Sequence, residues 1–157
     1  MNSSRSRKGF FPLVAIVLLL LIVGEVSPAA ASPAVATIQK SSGTATVVRQ
    51  GRALEVSAGL EILENDTLRT GSDGSIGVVF EDDTLLALGP ESVLVVDEFV
   101  FAPKQGKFSI VLRMLKGTAG YLSGLISKLA PESAHFETPT ASIGIRGTSF
   151  VVRVEGP

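Results

Sequence analysis

From residue 44 onward, apolar residues recur at every second position of this chain, and a period of two excludes most folds at once. Thr44, Thr46 and Val48 alternate with Ala45, Val47 and Arg49. Ile76, Val78 and Phe80 alternate with Ser75, Gly77 and Val79, and Phe108, Ile110 and Leu112 with Ser109, Val111 and Arg113. Such alternation sends neighbouring side chains to opposite faces of an extended backbone, as in half-buried strands. Gly-containing turns at Gln50-Gly51, Thr70 to Ser75, Leu88-Gly89-Pro90 and Lys104-Gln105-Gly106 divide the pattern into short lengths, which predicts an all-β domain. The turn spacing suits either a short β-solenoid or a distorted sandwich of short strands. One stretch departs from the pattern. Leu122, Leu125, Ile126 and Leu129 sit at helical offsets after Tyr121 and before Pro131, predicting one short helix near 121–130 despite Gly120 and Gly124. This leucine stripe reads as core packing rather than as a partner-binding or membrane face.

The first 31 residues read differently. Arg5, Arg7 and Lys8 precede an apolar run from Phe10 to Val23, followed by Gly24, Glu25, Pro28 and small residues. This is the order of a secretory signal peptide, an N-terminal signal helix with cleavage expected before Ser32. The run is short of the roughly 20 residues that a membrane span needs, and an uncleaved signal anchor, tilted in a thinned bilayer, is the alternative. The expected division is a signal segment over 1–31, a linker over 32–37 and a β domain over 38–157. The chain is therefore expected in the periplasm or outside the cell, or at the inner membrane if the segment is retained.

Composition then narrows the chemistry. Cysteine is absent, so an exported domain of this sequence rests on its apolar core, with neither disulfides nor a lipid-modified cysteine. Removing residues 1–31 takes Arg5, Arg7 and Lys8 from the 14 basic residues and Glu25 from the 15 acidic ones, leaving a net charge near −3. That balance argues against a nucleic-acid partner, which selects a clustered basic surface.

Catalytic and cofactor patterns fare poorly. His135 is the only histidine; a Cys–His pair is impossible and a His-rich metal site is excluded. Ser133 lies two residues away, on the same side of an extended strand, with no carboxylate to orient a triad base. Glu81, Asp82 and Asp83 form the densest carboxylate cluster. They lack calcium-loop spacing and read as a solvated hairpin tip. Gly71-Ser72-Asp73-Gly74 has no Gly-Lys-Ser or Gly-Lys-Thr after it and reads as a turn. No catalytic residue, cofactor or metal is expected, and the chain reads as a non-enzyme.

Residues 137–150 read Glu-Thr-Pro-Thr-Ala-Ser-Ile-Gly-Ile-Arg-Gly-Thr-Ser-Phe. Pro139 fixes its own φ, pushes Thr138 into extended geometry and can start a strand. That strand passes Ile143 and Ile145, breaks at Gly147, and resumes with Thr148, Phe150, Val152 and Val154 on one face. Gly147 reads as a turn or bulge where a Cβ would clash. Arg146 could point inward only with carboxylate or carbonyl partners. It reads as a clamp holding the Thr-Pro strand to a neighbouring turn, with Glu137 as candidate partner. Thr138, Pro139, Arg146, Gly147 and Thr148 make up the candidate structural or binding set.

This segment resembles the signature of the FecR domain. The resemblance extends to Asn65-Asp66-Thr67-Leu68-Arg69-Thr70-Gly71, to Gly74-Ser75-Ile76-Gly77-Val78-Val79-Phe80 and to Leu86-Ala-Leu-Gly-Pro-Glu-Ser92. It continues through Leu115-Lys116-Gly117 and Tyr121-Leu122-Ser123-Gly124, covering roughly Ile38 to Val154. Asp83 stands where the family commonly has a turn glycine, and tolerates a positive φ. FecR-type sequences usually run on beyond the position of Pro157, so the chain is expected to be pared down or truncated, with Thr148–Val154 at a sheet edge. The resemblance implies a stand-alone, exported, non-enzymatic binding or signal-sensing module of the bacterial cell envelope. Few residues precede the apolar run, which leaves no room for the cytoplasmic anti-sigma segment of the best-known members. Its partner would be an envelope protein or a ligand, recognised by β-strand addition. An accessory fragment of an envelope hydrolase or carbohydrate-active protein is the alternative.

Overall fold

The computed structural model describes residues 30–147 and 149–156. The signal segment, with its expected helix, lies outside the described residues apart from Ala30 and Ala31, as does Thr148. Residues 32–157 form one compact unit. Its strands are β1 (Ala34–Ser42), β2 (Ala45–Arg49), β3 (Arg52–Glu55), β4 (Glu61–Leu63), β5 (Thr67–Thr70) and β6 (Ser75–Phe80). Next come β7 (Leu85–Leu88), β8 (Val93–Ala102), β9 (Lys107–Leu122), the helix α1 (Leu125–Leu129), β10 (Ala134–Thr138), β11 (Ala141–Gly144) and β12 (Ser149–Val154). No helix among the described residues is long and apolar enough to cross a membrane.

The twelve strands form one curled sheet, a half-barrel in which all neighbours are antiparallel except β9 and β10. Its front half runs β4-β1-β6-β7-β9-β12 and its back half β3-β2-β5-β8-β9-β10-β11. The distorted sandwich, one of the two expected architectures, describes this arrangement. β9 belongs to both halves: residues 107–116 pair with β8, and residues 117–122 pair with β12. The change of half occurs at a bulge, where the register with β8 slips between Val93 and Leu94, followed by Gly117 at φ +96. Bulges and glycines are how a strand turns a corner between packed sheets.

Both halves fill one core. Ile38, Ile76, Phe80, Leu86 and Leu88 from the front meet Val47, Leu68, Leu94, Leu112 and Phe136 from the back in a single apolar cluster. Phe80 stacks on Phe99 with centroids 5.4 Å apart. Each such side chain, fully buried, stabilises the fold by roughly 1.5–3 kcal/mol. The alternation expected for β2, β6 and β9 is present, with Val47, Ile76, Val78, Phe80, Ile110 and Leu112 all inward.

Two expectations need correction. Residues 34–37, expected as linker, belong to β1, where Val35 and Ala36 are buried because β1 pairs with both β4 and β6. The one short helix expected near 121–130 is present as Leu125–Leu129, with β9 continuing through Leu122 before it. The leucine stripe is not core: Ile126 is buried, whereas Leu122, Leu125 and Leu129 are exposed. In a helix of little more than one turn only two adjacent residues, Ile126 and Ser127, are buried.

Candidate functional site

The signature segment folds as the β10–β11 hairpin, a connecting loop and β12. Thr138 pairs with Ala141, leaving Pro139 and Thr140 as a two-residue turn. The Thr138 hydroxyl donates to the Ala141 carbonyl at 3.2 Å and accepts from the Ala141 N–H at 3.0 Å. Pro139 therefore sits in the turn rather than starting the strand; its fixed φ suits the first central position of a turn. Phe136, fully buried, meets Tyr121 and Phe150 edge-on, and Tyr121 stacks on Phe150 at 5.1 Å. The Ile145 N–H donates to the Ala134 carbonyl at 2.9 Å, and its side chain is buried. These contacts tie the segment to both halves of the sheet.

The polar members of the candidate set are placed elsewhere. Thr138 and Pro139 lie at the tip of the hairpin. Arg146 and Gly147 are exposed beyond its base, where His135 pairs with Gly144. The three pair-steps between tip and base separate them by about 10 Å. Among the described residues no ion pair involves Arg146. Glu137 instead lies beside Arg113 on the neighbouring strand. Arg113 makes hydrogen bonds of 2.6 Å to both oxygens of Asp97. Asp97 foremost, with Glu137 adding to it and burial opposing, holds the Arg113 guanidinium above its ordinary pKa. Among the described residues the expected clamp at Arg146 is thus not made. Gly147 has φ +63, but a Cβ there would meet nothing within 4 Å. Its backbone conformation, not space, favours glycine.

What the segment does create is an open seam. β11 pairs only with β10 and β12 only with β9, so among the described residues each has one unpaired edge. Between the hairpin tip and β12 lies a cavity of about 240 Å³ lined by Pro139, Ile143, Val152 and Val154, among others. Phe150, Val152 and Val154 turn toward the core, and Val151 is 76% exposed.

Sequence reasoning missed two clamps. Asp66, 1% exposed, accepts from Arg49 Nε at 2.9 Å and Nη2 at 2.7 Å, and from the Leu63 N–H at 2.8 Å. Arg49 also donates to the Glu61 carbonyl, and the Asp66 hydrogen bonds raise its pKa. Asp82, expected at a solvated tip, is fully buried. It accepts from the Thr84 N–H, the Thr84 hydroxyl and the Ile126 N–H at 2.9–3.1 Å, anchoring α1 to the β6–β7 turn. Asp83 carries the turn at φ +65, a conformation Asp tolerates. Among the described residues no group of three or more potential metal ligands gathers. His135 Nε2 lies 2.9 Å from the Glu132 carbonyl.

The segment thus belongs to a curled, mostly antiparallel sheet with an apolar seam and, among the described residues, an open edge at β11 and at β12. A family model described as FecR protein matches residues 66–157, more than half of the chain, and the chain belongs to the FecR family. Membership makes it a signal-transduction module related to the cell envelope, in a family of signalling proteins rather than enzymes. No curated protein and no solved structure matches the chain.

Proposed function

We propose that this chain is an exported, non-enzymatic binding module of the bacterial envelope, periplasmic or secreted, that receives a protein partner by strand addition at β12. The unpaired edge of β12 carries the reading. Six residues, Ser149–Val154, present backbone donors and acceptors on a side that no described strand covers. Their outward side chains, Ser149, Val151 and Arg153, provide alternate positions at which a partner strand is discriminated. Family membership supports the envelope setting, the apolar N-terminal run supports export, and retention of that run would anchor the domain at the inner membrane. A carbohydrate-binding role is disfavoured. Tyr121 is buried, and no phenylalanine is among the exposed large apolar residues described. Photo-crosslinkers placed at Val151 and, as a control, at Thr46 on the back half test the proposal in cells. Adducts with an envelope protein at Val151 only, lost when Arg153→Pro is added to the Val151 crosslinker variant, are expected; equal labelling at both positions, or adducts that survive the proline, would refute strand addition.

A further inference from the structure

The outer face of the front half holds a trough that shares only its β12 rim, Ser149 to Val151, with the strand-addition edge. Lys40, Gly77, Ala87, Gly120 and Val151 occupy one row across β1, β6, β7, β9 and β12, each paired with the next. Three adjacent strands thus offer no side chain larger than a methyl group, and the floor from Gly77 to Val151 spans about 14 Å at strand spacing. Leu85 and Leu122, paired with each other, form an apolar lip 40% and 49% exposed, and Val151 closes the far end. The cavity measures about 540 Å³, within the roughly 300–1,000 Å³ of small-molecule sites.

Charge indicates the occupant. A register shift in β1 between Ile38 and Lys40 sets Lys40 beside Gly77, with its aliphatic stem over the glycine. Among the described residues, Lys40 is the only charged one lining the trough. The five strands that the row crosses, β1, β6, β7, β9 and β12, contain no aspartate or glutamate; Glu61, on the flanking β4, pairs with Thr37 rather than with Lys40. A cationic, apolar face on an acidic protein suits an anionic ligand better than a second copy of itself. We infer that the trough binds a free anionic amphiphile, an alkyl chain ending in a carboxylate, with the chain on the Ala87–Gly120 floor and the head at Lys40, whose stem covers Gly77.

The test is an amide-resolved NMR titration of the protein expressed from the full-length gene and recovered in its processed form. Sodium decanoate and decyltrimethylammonium are compared below micelle formation. Decanoate should give saturable shifts at Gly77, Ala87, Gly120 and Leu122. Gly120→Leu should abolish them while leaving the rest of the spectrum folded, since the nearest atom to a Cβ there is the Ala87 methyl at 3.9 Å. Lys40→Gln should weaken decanoate roughly two- to fivefold, the worth of one exposed charge pair, and leave the cationic amphiphile unchanged. Equal binding of both head groups, binding undiminished in Gly120→Leu, or shifts elsewhere would overturn the inference. Binding to phosphatidylglycerol vesicles without binding to monomeric decanoate would replace it with a membrane surface, and a dimer whose interface shifts map to the trough would replace it with a second copy.

Discussion

Gly117 is the position where one added methyl group should cost most. Its φ of +96 is one that L side chains rarely adopt, and a Cβ built there overlaps the Cα and Oγ of Ser92. Ser92 is fully buried and holds the corner of β9: its Oγ donates to the Thr118 carbonyl at 3.1 Å and accepts from the Thr118 N–H at 3.0 Å. In Gly117→Ala the backbone strain costs about 1–3 kcal/mol. Displacing Ser92 loses two hydrogen bonds worth about 1 kcal/mol each. The total, about 3–5 kcal/mol, is a large share of the 5–15 kcal/mol that holds a domain together. With a urea dependence of about 2 kcal/mol/M, the unfolding midpoint should fall by about 1.5–2.5 M. Gly147→Ala is the control: its φ is also positive but a Cβ meets open space, so only the left-handed penalty of about 1–2 kcal/mol remains. Urea titrations of both variants, followed by circular dichroism, decide. Equal losses, or a Gly117→Ala loss under 1 kcal/mol, would show that β9 does not need this corner.

Three further outcomes follow from named contacts. Arg146→Ala should leave the urea midpoint within about 0.5 kcal/mol of wild type, because an exposed side chain away from any cap or core changes little; a loss above 1 kcal/mol would restore the clamp. Asp82→Ala should cost about 3 kcal/mol, since three buried donors lose their acceptor, and should strip hydrogen-exchange protection from Leu125 and Ile126; retained protection would contradict the anchor. Tyr121 is the sole tyrosine, and burial first of all raises its pKa, with nearby Ser127 and Thr84 hydroxyls partly offsetting this short of full hydrogen-bond geometry. The folded state therefore holds the phenol proton more tightly than the unfolded state. This stabilisation is fully present below the unfolded value of about 10 and is lost as pH rises through the folded value. Tyrosinate absorbance should appear above pH 10 in the folded protein and near 10 in urea, and Tyr121→Phe should lack the alkaline loss; coincident titrations would contradict the burial argument.

The strands were legible because a half-buried strand writes its two faces into alternate residues, as Ile76, Val78 and Phe80 do. The corner in β9 was less so. Burial at Ile110, Leu112 and Met114 resumes at Ala119 and Tyr121, one residue out of phase, and only the Leu115-Lys116-Gly117 step marks the slip. Leu122, Leu125 and Leu129 misled because helical spacing reports which residues share a face, not whether anything covers that face. Asp82 misled in the opposite direction: a carboxylate between two strands looks solvated until the donors of a distant helix turn are brought to it. Arg49 and Asp66, 17 residues apart, have no spacing signature, since hairpin lengths rather than local sequence bring them together. The trough was hidden for the same reason: Gly77, Ala87 and Gly120 become neighbours only through register.

Hydrogen exchange at β12 tests the central claim most directly. Among the described residues only one edge of Ser149–Val154 is paired, to residues 117–122 of β9, so in the isolated monomer roughly alternate amides of β12 should exchange quickly while those of β9 stay protected. In a purified complex with the crosslinked partner the fast amides should become slow. Uniform protection of β12 in the monomer, matching β9, would show that the edge is already covered and would contradict strand addition.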